Sequence, residues 1–192
     1  MSVVVAVKYK NGVALAADKQ TTWGNIKKGT ATKITRTKYS NLGIGSVGSG
    51  RLGDIIEVMD EVVDAADILR GIEVDRKYMI KHIIPDVFEY LKKYGLLLHD
   101  EDGLNYIDGS MIFVTPKTIQ AMACDGGLVE YENFAAIGCG RDLAYGYLST
   151  IDKNFDKLKE EDAIKILVNA IQKSCKDDAF IDDNVEIILI EK

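Results

Sequence analysis

Ser2-Val3-Val4-Val5-Ala6-Val7, then Lys10-Asn11-Gly12, then Val13-Ala14-Leu15-Ala16-Ala17-Asp18 is the stretch whose reading decides the fold. Positions 3 to 7 are an unbroken apolar run rich in β-branched residues, the signature of a buried strand. Asn-Gly is the strongest short hairpin signal, so a turn is expected at Lys10-Asn11-Gly12 and a returning strand over 13–17. By period alone, 13–17 also suits a helix. Its length and the Asn-Gly before it favour the hairpin. The register of that hairpin brings Asp18 back beside the start of the first strand, and so close to Ser2.

Outward from the hairpin, residues 20–36 are polar and rich in Thr, Lys and Gly. They predict a short excursion and then a strand near Lys33-Ile34-Thr35. Leu42 to Val47 predicts another strand, closed by a tight Gly48-Ser49-Gly50 turn. From Arg51 the apolar period lengthens: Ile55, Val58, Met59, Val62, Val63, Ala66 and Leu69 describe an amphipathic helix ending at Gly71. A second helix is expected from about Asp75 to Tyr94, with Met79, Ile83, Val87, Tyr90 and Leu91 on one face. Pro85 predicts a kink or break in it, and Gly95 its end.

His99 to Asp108 reads as a polar loop. Strands are expected at 110–114 and 118–123, a turn at Asp125-Gly126-Gly127, and a strand at 134–137 leading into Gly138-Cys139-Gly140. Helices follow at about 141–152 and 160–175, then a strand at 185–190. Strands and helices thus come in blocks, which argues for an α+β fold and against alternating βαβ units. Two antiparallel sheets with a helix pair on each outer side would use every element, as one domain over 1–192.

Composition narrows the function. A net charge of −6 lacks the basic footprint of a nucleic-acid binder. No stretch approaches the ~20 apolar residues of a membrane span, and the apolar run after Met1 is too short for a signal peptide. A cytoplasmic protein is the expectation. Three cysteines, Cys124, Cys139 and Cys175, have no metal-ligand spacing and suit a reducing compartment. Cys124 and Cys175 fall on apolar faces and are expected in the core, and Cys139 is expected either as a packed thiol or as one that supports the site from behind the nucleophile. With only His82 and His99, a His-rich metal site is disfavoured and a Ser-His-Asp triad has few candidates. No metal or cofactor is called for.

A serine without a histidine needs another way to lose its proton. If Met1 is removed, Ser2 carries a free α-amine with an ordinary pKa of about 7.7–8.0, a base on the same residue as the hydroxyl. A lysine close by would lower the hydroxyl pKa, and a carboxylate would keep that lysine charged and oriented. Asp18 and Lys33 are the candidates. Each alone reads as an ordinary surface charge, and Met-Ser is a common start for any protein.

Taken in order, Ser2-Val-Val-Val-Ala-Val, Asn11-Gly12-Val-Ala-Leu-Ala-Ala-Asp18, Thr21-Thr22-Trp23-Gly24-Asn25 and Lys33-Ile34 resemble the opening of proteasome β-subunits and of HslV, the bacterial ring peptidase. Gly45-Ser46-Val47-Gly48-Ser49-Gly50 resembles that family's oxyanion turn. Gly138-Cys139-Gly140 with Leu143-Ala144-Tyr145-Gly146 resembles its Gly-Ser-Gly motif, and Asp177-Asp178-Ala179-Phe180 its late Asp-Ala-Tyr segment. The resemblance covers residues 2 to about 190 and implies a four-layer αββα N-terminal-nucleophile hydrolase fold. It implies catalytic roles for Ser2, Asp18, Lys33, the Gly48 backbone, Cys139 and Asp178. Thr22, Ser46 and Ser49 would contact substrate, with Ser49 the neighbouring alternative to Gly48. Ser stands where the family has a Thr nucleophile, and Cys139 and Ile181 stand where it has serines.

The resemblance further implies a threonine-protease-family peptidase acting on unfolded polypeptide inside a ring-shaped homo-oligomer. An ATP-dependent unfoldase partner follows only by analogy, and this chain has no nucleotide-binding glycine loop of its own. A structural subunit without activity and an amidase or transpeptidase of small amides are the alternatives. Thr32 and Ser46 predict a substrate pocket without strong charge.

Overall fold

The computed structural model describes residues 2–23, 26–38, 41–59, 67, 71–177 and 183–192. The opening hairpin forms as expected: β1 (Val3–Tyr9) pairs antiparallel with β2 (Gly12–Asp18), Val4 opposite Ala17 and Tyr9 opposite Gly12. Gly12, however, belongs to the strand and not to the turn. It lacks a positive φ, and a Cβ there would lie 2.1 Å from the Ile190 carbonyl oxygen. Its bareness lets β13 (Val185–Glu191) close on β2, with Glu191 opposite Gly12.

Two short strands, β3 (Gln20–Trp23) and β4 (Ile26–Thr30), form a second hairpin where sequence suggested only an excursion. β5 (Ile34–Arg36) and β6 (Gly43–Gly48) follow, and α1 (Gly50–Ile56) starts at once. The expected long helix stops there. Val58 and Met59 turn back onto the Ile55 and Ile56 carbonyls, which leaves Val58 about half exposed while Met59 is buried. The rest of that expectation, at 60–66 and 68–70, lies outside the described residues.

The helical run of 76–93 is one piece: α2 (Arg76–Tyr78), a π-helical turn (Met79–Ile83) and α3 (Ile84–Lys93). Pro85 neither breaks it nor ends it. The wider turn, with Ile84 N–H bonded to the Met79 carbonyl, places the proline's missing donor at the start of α3, where its loss is tolerated. Asp75 caps the run by accepting from the Tyr78 amide at 2.7 Å. The expected face holds: Met79, Ile83, Val87 and Leu91 are buried.

The polar loop expected at 99–108 contains a two-stranded ribbon, β7 (Leu97–His99) with β8 (Asn105–Ile107). Then come β9 (Gly109–Val114), β10 (Ile119–Met122), β11 (Leu128–Tyr131), which was not foreseen, and β12 (Phe134–Gly138). Helices α4 (Arg141–Ser149) and α5 (Glu160–Asp177) precede β13.

The larger sheets have the orders β12-β1-β2-β13 and β11-β10-β9-β6-β5, every adjacent pair antiparallel. Alternation along β1 sorts its side chains. Val3, Val5 and Val7 join Ala144, Leu148, Leu167 and Ile171 of α4 and α5 in one apolar cluster. Val4 and Ala6 join Ile34, Val47, Ile112 and Val114 of the other sheet in a second. A third sets Ile44, Met111 and Phe113 against Ile55, Met79, Val87 and Leu91. At about 1.5–3 kcal/mol per fully buried aliphatic side chain, this burial on both faces makes β1 a stiff support for the residue preceding it, Ser2.

Candidate active site

Asp18 ends β2 opposite Val3, as its hairpin register requires, and is 0% exposed. One carboxylate oxygen accepts the Val3 amide at 2.8 Å. The other accepts the Gln20 amide at 3.2 Å and the Lys33 ammonium at 2.8 Å. Lys33 is itself 6% exposed. Burial raises the Asp18 carboxyl above the usual carboxylate range, and the Lys33 charge and the two amides oppose that shift. The buried pair therefore locks the end of β2, the start of β1 and the approach to β5 into one arrangement.

Ser2 is half-buried beside this pair. Its backbone meets β12 through the register Val3 opposite Gly138. Gly138 has φ +100°, and a Cβ there would come within 2.1 Å of the Ser2 carbonyl oxygen, so only glycine fits. The next residue, Cys139, is exposed, so of its two expected settings the packed one is not found. Its Sγ accepts from Ser2 N at 3.2 Å and donates to Ser2 O at 3.3 Å. The thiol thus touches both the nitrogen and the carbonyl oxygen of Ser2.

On the opposite wall, Ser46 N–H donates to the Lys33 carbonyl at 2.9 Å. Amides two residues apart on a strand point to the same edge, so Gly48 N–H is directed beyond the end of β5, towards the cleft. Ser49 N–H donates instead to the Asp108 carbonyl at 3.1 Å. Gly48 also has φ +137°, and a Cβ there would lie 2.1 Å from that carbonyl oxygen. Of the two neighbours, Gly48 is the one whose amide can serve a ligand.

These groups surround one cleft of about 60 Å³ that includes Ser2, Thr22, Lys33, Ser46, Gly48 and Ser49. Seven of the nine residues singled out by sequence, Cys139 included, therefore meet in space. Asp18 joins them through Lys33, and Asp178 lies outside the described residues. Sequence reasoning missed Gln20 as a donor to Asp18, Gly138 as the contact behind Ser2, and Gly53 in the cleft wall. Gln20 had no signal beyond its closeness to Asp18, whereas Gly138 stood inside a quoted motif. His82 is exposed and stacks on Tyr78 with ring centroids 4.6 Å apart, and His99 is exposed on the β7–β8 ribbon. Cys124 is exposed in the β10–β11 turn and Cys175 half-buried against α5's apolar cluster, so only Cys175 approaches the expected core setting. Among the described residues no group of acidic, His and Cys side chains is arranged to hold a metal, and no helix is long and apolar enough to cross a membrane.

The fold is shared with HslV-like structures. It superposes on eukaryotic HslV from Trypanosoma brucei with a TM-score of 0.66, at 20% identity and 99% coverage of both chains. It superposes on Thiobacillus denitrificans BPH with a TM-score of 0.73, at 18% identity, covering 98% of this chain and 97% of that one. A further structure of that protein is a complex with epoxomicin. A sequence model of the family described as proteasome subunit matches residues 2–190, and this chain belongs to that family. Among curated relatives, proteasome subunit beta 1 of Thermococcus gammatolerans is 26% identical over 191 residues, covering 98% of this chain and 88% of its own length. Proteasome subunit beta 2 of Pyrococcus furiosus is 25% identical over 191 residues, covering 98% and 86%.

Proposed function

We propose that this chain is a peptidase subunit whose nucleophile is Ser2, exposed as the N-terminal residue by loss of Met1. The observation that carries the proposal is the buried Asp18–Lys33 pair, 2.8 Å apart, opening on the cleft that Ser2 lines. A solvated lysine has no need of a fully buried carboxylate, whereas an ammonium acting on a neighbouring hydroxyl must be held in place.

In this reading the Ser2 hydroxyl attacks the peptide carbonyl and its proton passes to the Ser2 α-amine, directly or through a water. The Lys33 charge favours the alkoxide, and Gly48 N–H stabilises the tetrahedral oxyanion, worth about 3–4 kcal/mol for such a donor. The amine returns the proton to the departing amine, leaving an acyl-ester on Ser2. Water then hydrolyses the ester, with the amine again as base. Cys139 Sγ holds the Ser2 nitrogen in position. Asp178 supports the site in the way the family resemblance implies, and Thr22 on the β3 edge pairs with the substrate backbone.

The two sheets and their flanking helices then make up the four-layer αββα sandwich, a single domain over residues 1–192. Such subunits act from within a ring-shaped homo-oligomer in the cytoplasm, on unfolded polypeptide, and an ATP-driven unfoldase is the expected partner. Intact mass after treatment with a β-lactone, and in parallel with epoxomicin, tests the reading. Loss of Met1 and one adduct on Ser2 are expected. Retained Met1 with neither adduct nor peptide turnover refutes it and leaves a structural subunit.

A further inference from the structure

The inner face of α5 carries a hydroxyl among hydrocarbon. Ala163, Ile166, Leu167, Ala170 and Ile171 are buried in one apolar cluster with β1. Position 174, three and four residues further along the same face, is serine and 0% exposed. Alanine would suit that place better on two counts. It is the stronger helix former, and it buries no polar atom. A serine inside a helix can satisfy itself on the carbonyl four residues back, and Ala170 O lies 3.1 Å from the Ser174 Oγ. Ser174 also has an acceptor that its own helix does not supply. Its Oγ is 3.0 Å from the carbonyl oxygen of Gly140, 34 residues away at the start of α4.

Gly140 closes the Gly138-Cys139-Gly140 segment, and neither glycine offers a side chain by which the segment could be anchored. Gly138 lies close against the Ser2 carbonyl. Gly140 is buried and caps α4 without a side-chain hydrogen bond of its own. Its carbonyl already accepts the Ala144 amide at 3.0 Å, so the Ser174 hydroxyl is not needed to satisfy it. What the hydroxyl adds is a tether from α5 to the residue that follows Cys139. Cys139 stands between these two held glycines, with Sγ 3.2 Å from Ser2 N and 3.3 Å from Ser2 O.

We infer that Ser174 is a positioning residue whose hydroxyl fixes Gly140 and so holds the Cys139 thiol on the backbone of Ser2. Its consequence for catalysis rests on Ser2 being the nucleophile. In that case Ser174 sets the rate at which Ser2 is acylated and leaves substrate binding alone, because it lies behind Cys139 and is not among the residues that line the cleft. Ser174→Ala is made in the parent and in Cys139→Ala, and β-lactone acylation of Ser2 is timed in the mature chains. One net hydrogen bond is worth about 2- to 12-fold. Ser174→Ala should slow acylation by that range at saturating probe, with the half-saturating concentration unchanged. In the Cys139→Ala background the same substitution should have no effect, since no thiol is left to position. An equal loss in both backgrounds, or a change confined to the half-saturating concentration, overturns the inference.

A second measurement does not depend on catalysis. Iodoacetamide labelling of Cys139 is timed in a Cys124→Ser background, and Cys175 is read from the same digest by peptide mass. Cys175 follows Ser174 on α5 and is half-buried, so it reports any loosening of the helix itself. Ser174→Ala should label Cys139 at least about 2-fold faster, with Cys175 unchanged. Equal Cys139 rates in parent and variant, or acceleration of both cysteines, refutes positioning. Should Cys139→Ala by itself abolish acylation, or should no chain be acylated, this labelling decides the inference alone; the second result also ends the nucleophile reading.

Discussion

Replacing Lys33 with methionine removes the ammonium and keeps most of the side-chain volume. It leaves Asp18, 0% exposed, with the Val3 and Gln20 amides as its partners among the described residues. Breaking a buried pair in this way costs about 3–5 kcal/mol, and two remaining hydrogen bonds place the expectation at the lower end. At about 2–4 °C per kcal/mol for a chain of this size, Lys33→Met should lower Tm by roughly 6–12 °C.

The loss should depend on pH. Burial already raises the Asp18 carboxyl, and Lys33 opposes that rise, so removing Lys33 raises it further. A group whose folded-state pKa lies above its unfolded value contributes stability that is complete below the unfolded value, about 3.9 for Asp. That contribution is lost as pH rises through the folded value. The variant should therefore fall further below the parent at pH 7.5 than at pH 4.5. Thermal melts across that range, paired with β-lactone labelling of Ser2 at a temperature where both proteins are folded, measure both effects. A Tm deficit under about 2 °C, or one independent of pH, would refute the argument that Lys33 neutralises a buried charge. Undiminished labelling would remove Lys33 from the chemistry.

Gly48→Ala forces a Cβ towards the Asp108 carbonyl at a φ of +137° and should destabilise by about 1–3 kcal/mol, read by urea unfolding; an unchanged midpoint would show that the turn relaxes freely. In a Cys124→Ser background, iodoacetamide should alkylate exposed Cys139 and block acylation of Ser2, because Sγ lies 3.2 Å from the Ser2 nitrogen; full acylation of the alkylated protein would show that the contact is dispensable. Burial and a 3.0 Å hydrogen bond to Glu191 raise the Tyr9 phenol above its ordinary value near 10. Stability should accordingly fall as pH climbs past about 10, and Tyr9→Phe should flatten that alkaline limb in pH-dependent melts. A limb of the same slope in the variant would assign it to other groups.

The opening hairpin was legible because its determinants are local. A β-branched run, a short turn and a second apolar run define the register, and the register alone sets Asp18 opposite Val3. The helices of 76–93, 141–149 and 160–177 were legible from their apolar period. Less was visible where the determinants are distant. Thr-rich 20–30 and polar 97–107 lack clear alternation, so their ribbons could not be read. Gly12 looked like a turn residue until β13, some 180 positions away, was seen pressed against it.

From the sequence alone came the family, the opening hairpin, the grouping of strands and helices in blocks, and the set of Ser2, Asp18, Lys33 and the Gly48 turn. These follow from short-range pattern and from motifs that do not need neighbours to be recognised. Tertiary structure decided what those residues do to one another. The Asp108 carbonyl occupies the Ser49 amide, so of the two neighbours only Gly48 has its amide directed at the cleft. The pairing of β12 with β1 carries the Cys139 thiol onto the Ser2 nitrogen. The approach of α5 to the start of α4 brings the Ser174 hydroxyl to the Gly140 carbonyl. Each of these depends on backbone groups brought together from distant parts of the chain, and side-chain patterning in one dimension carries no record of where a backbone carbonyl will lie.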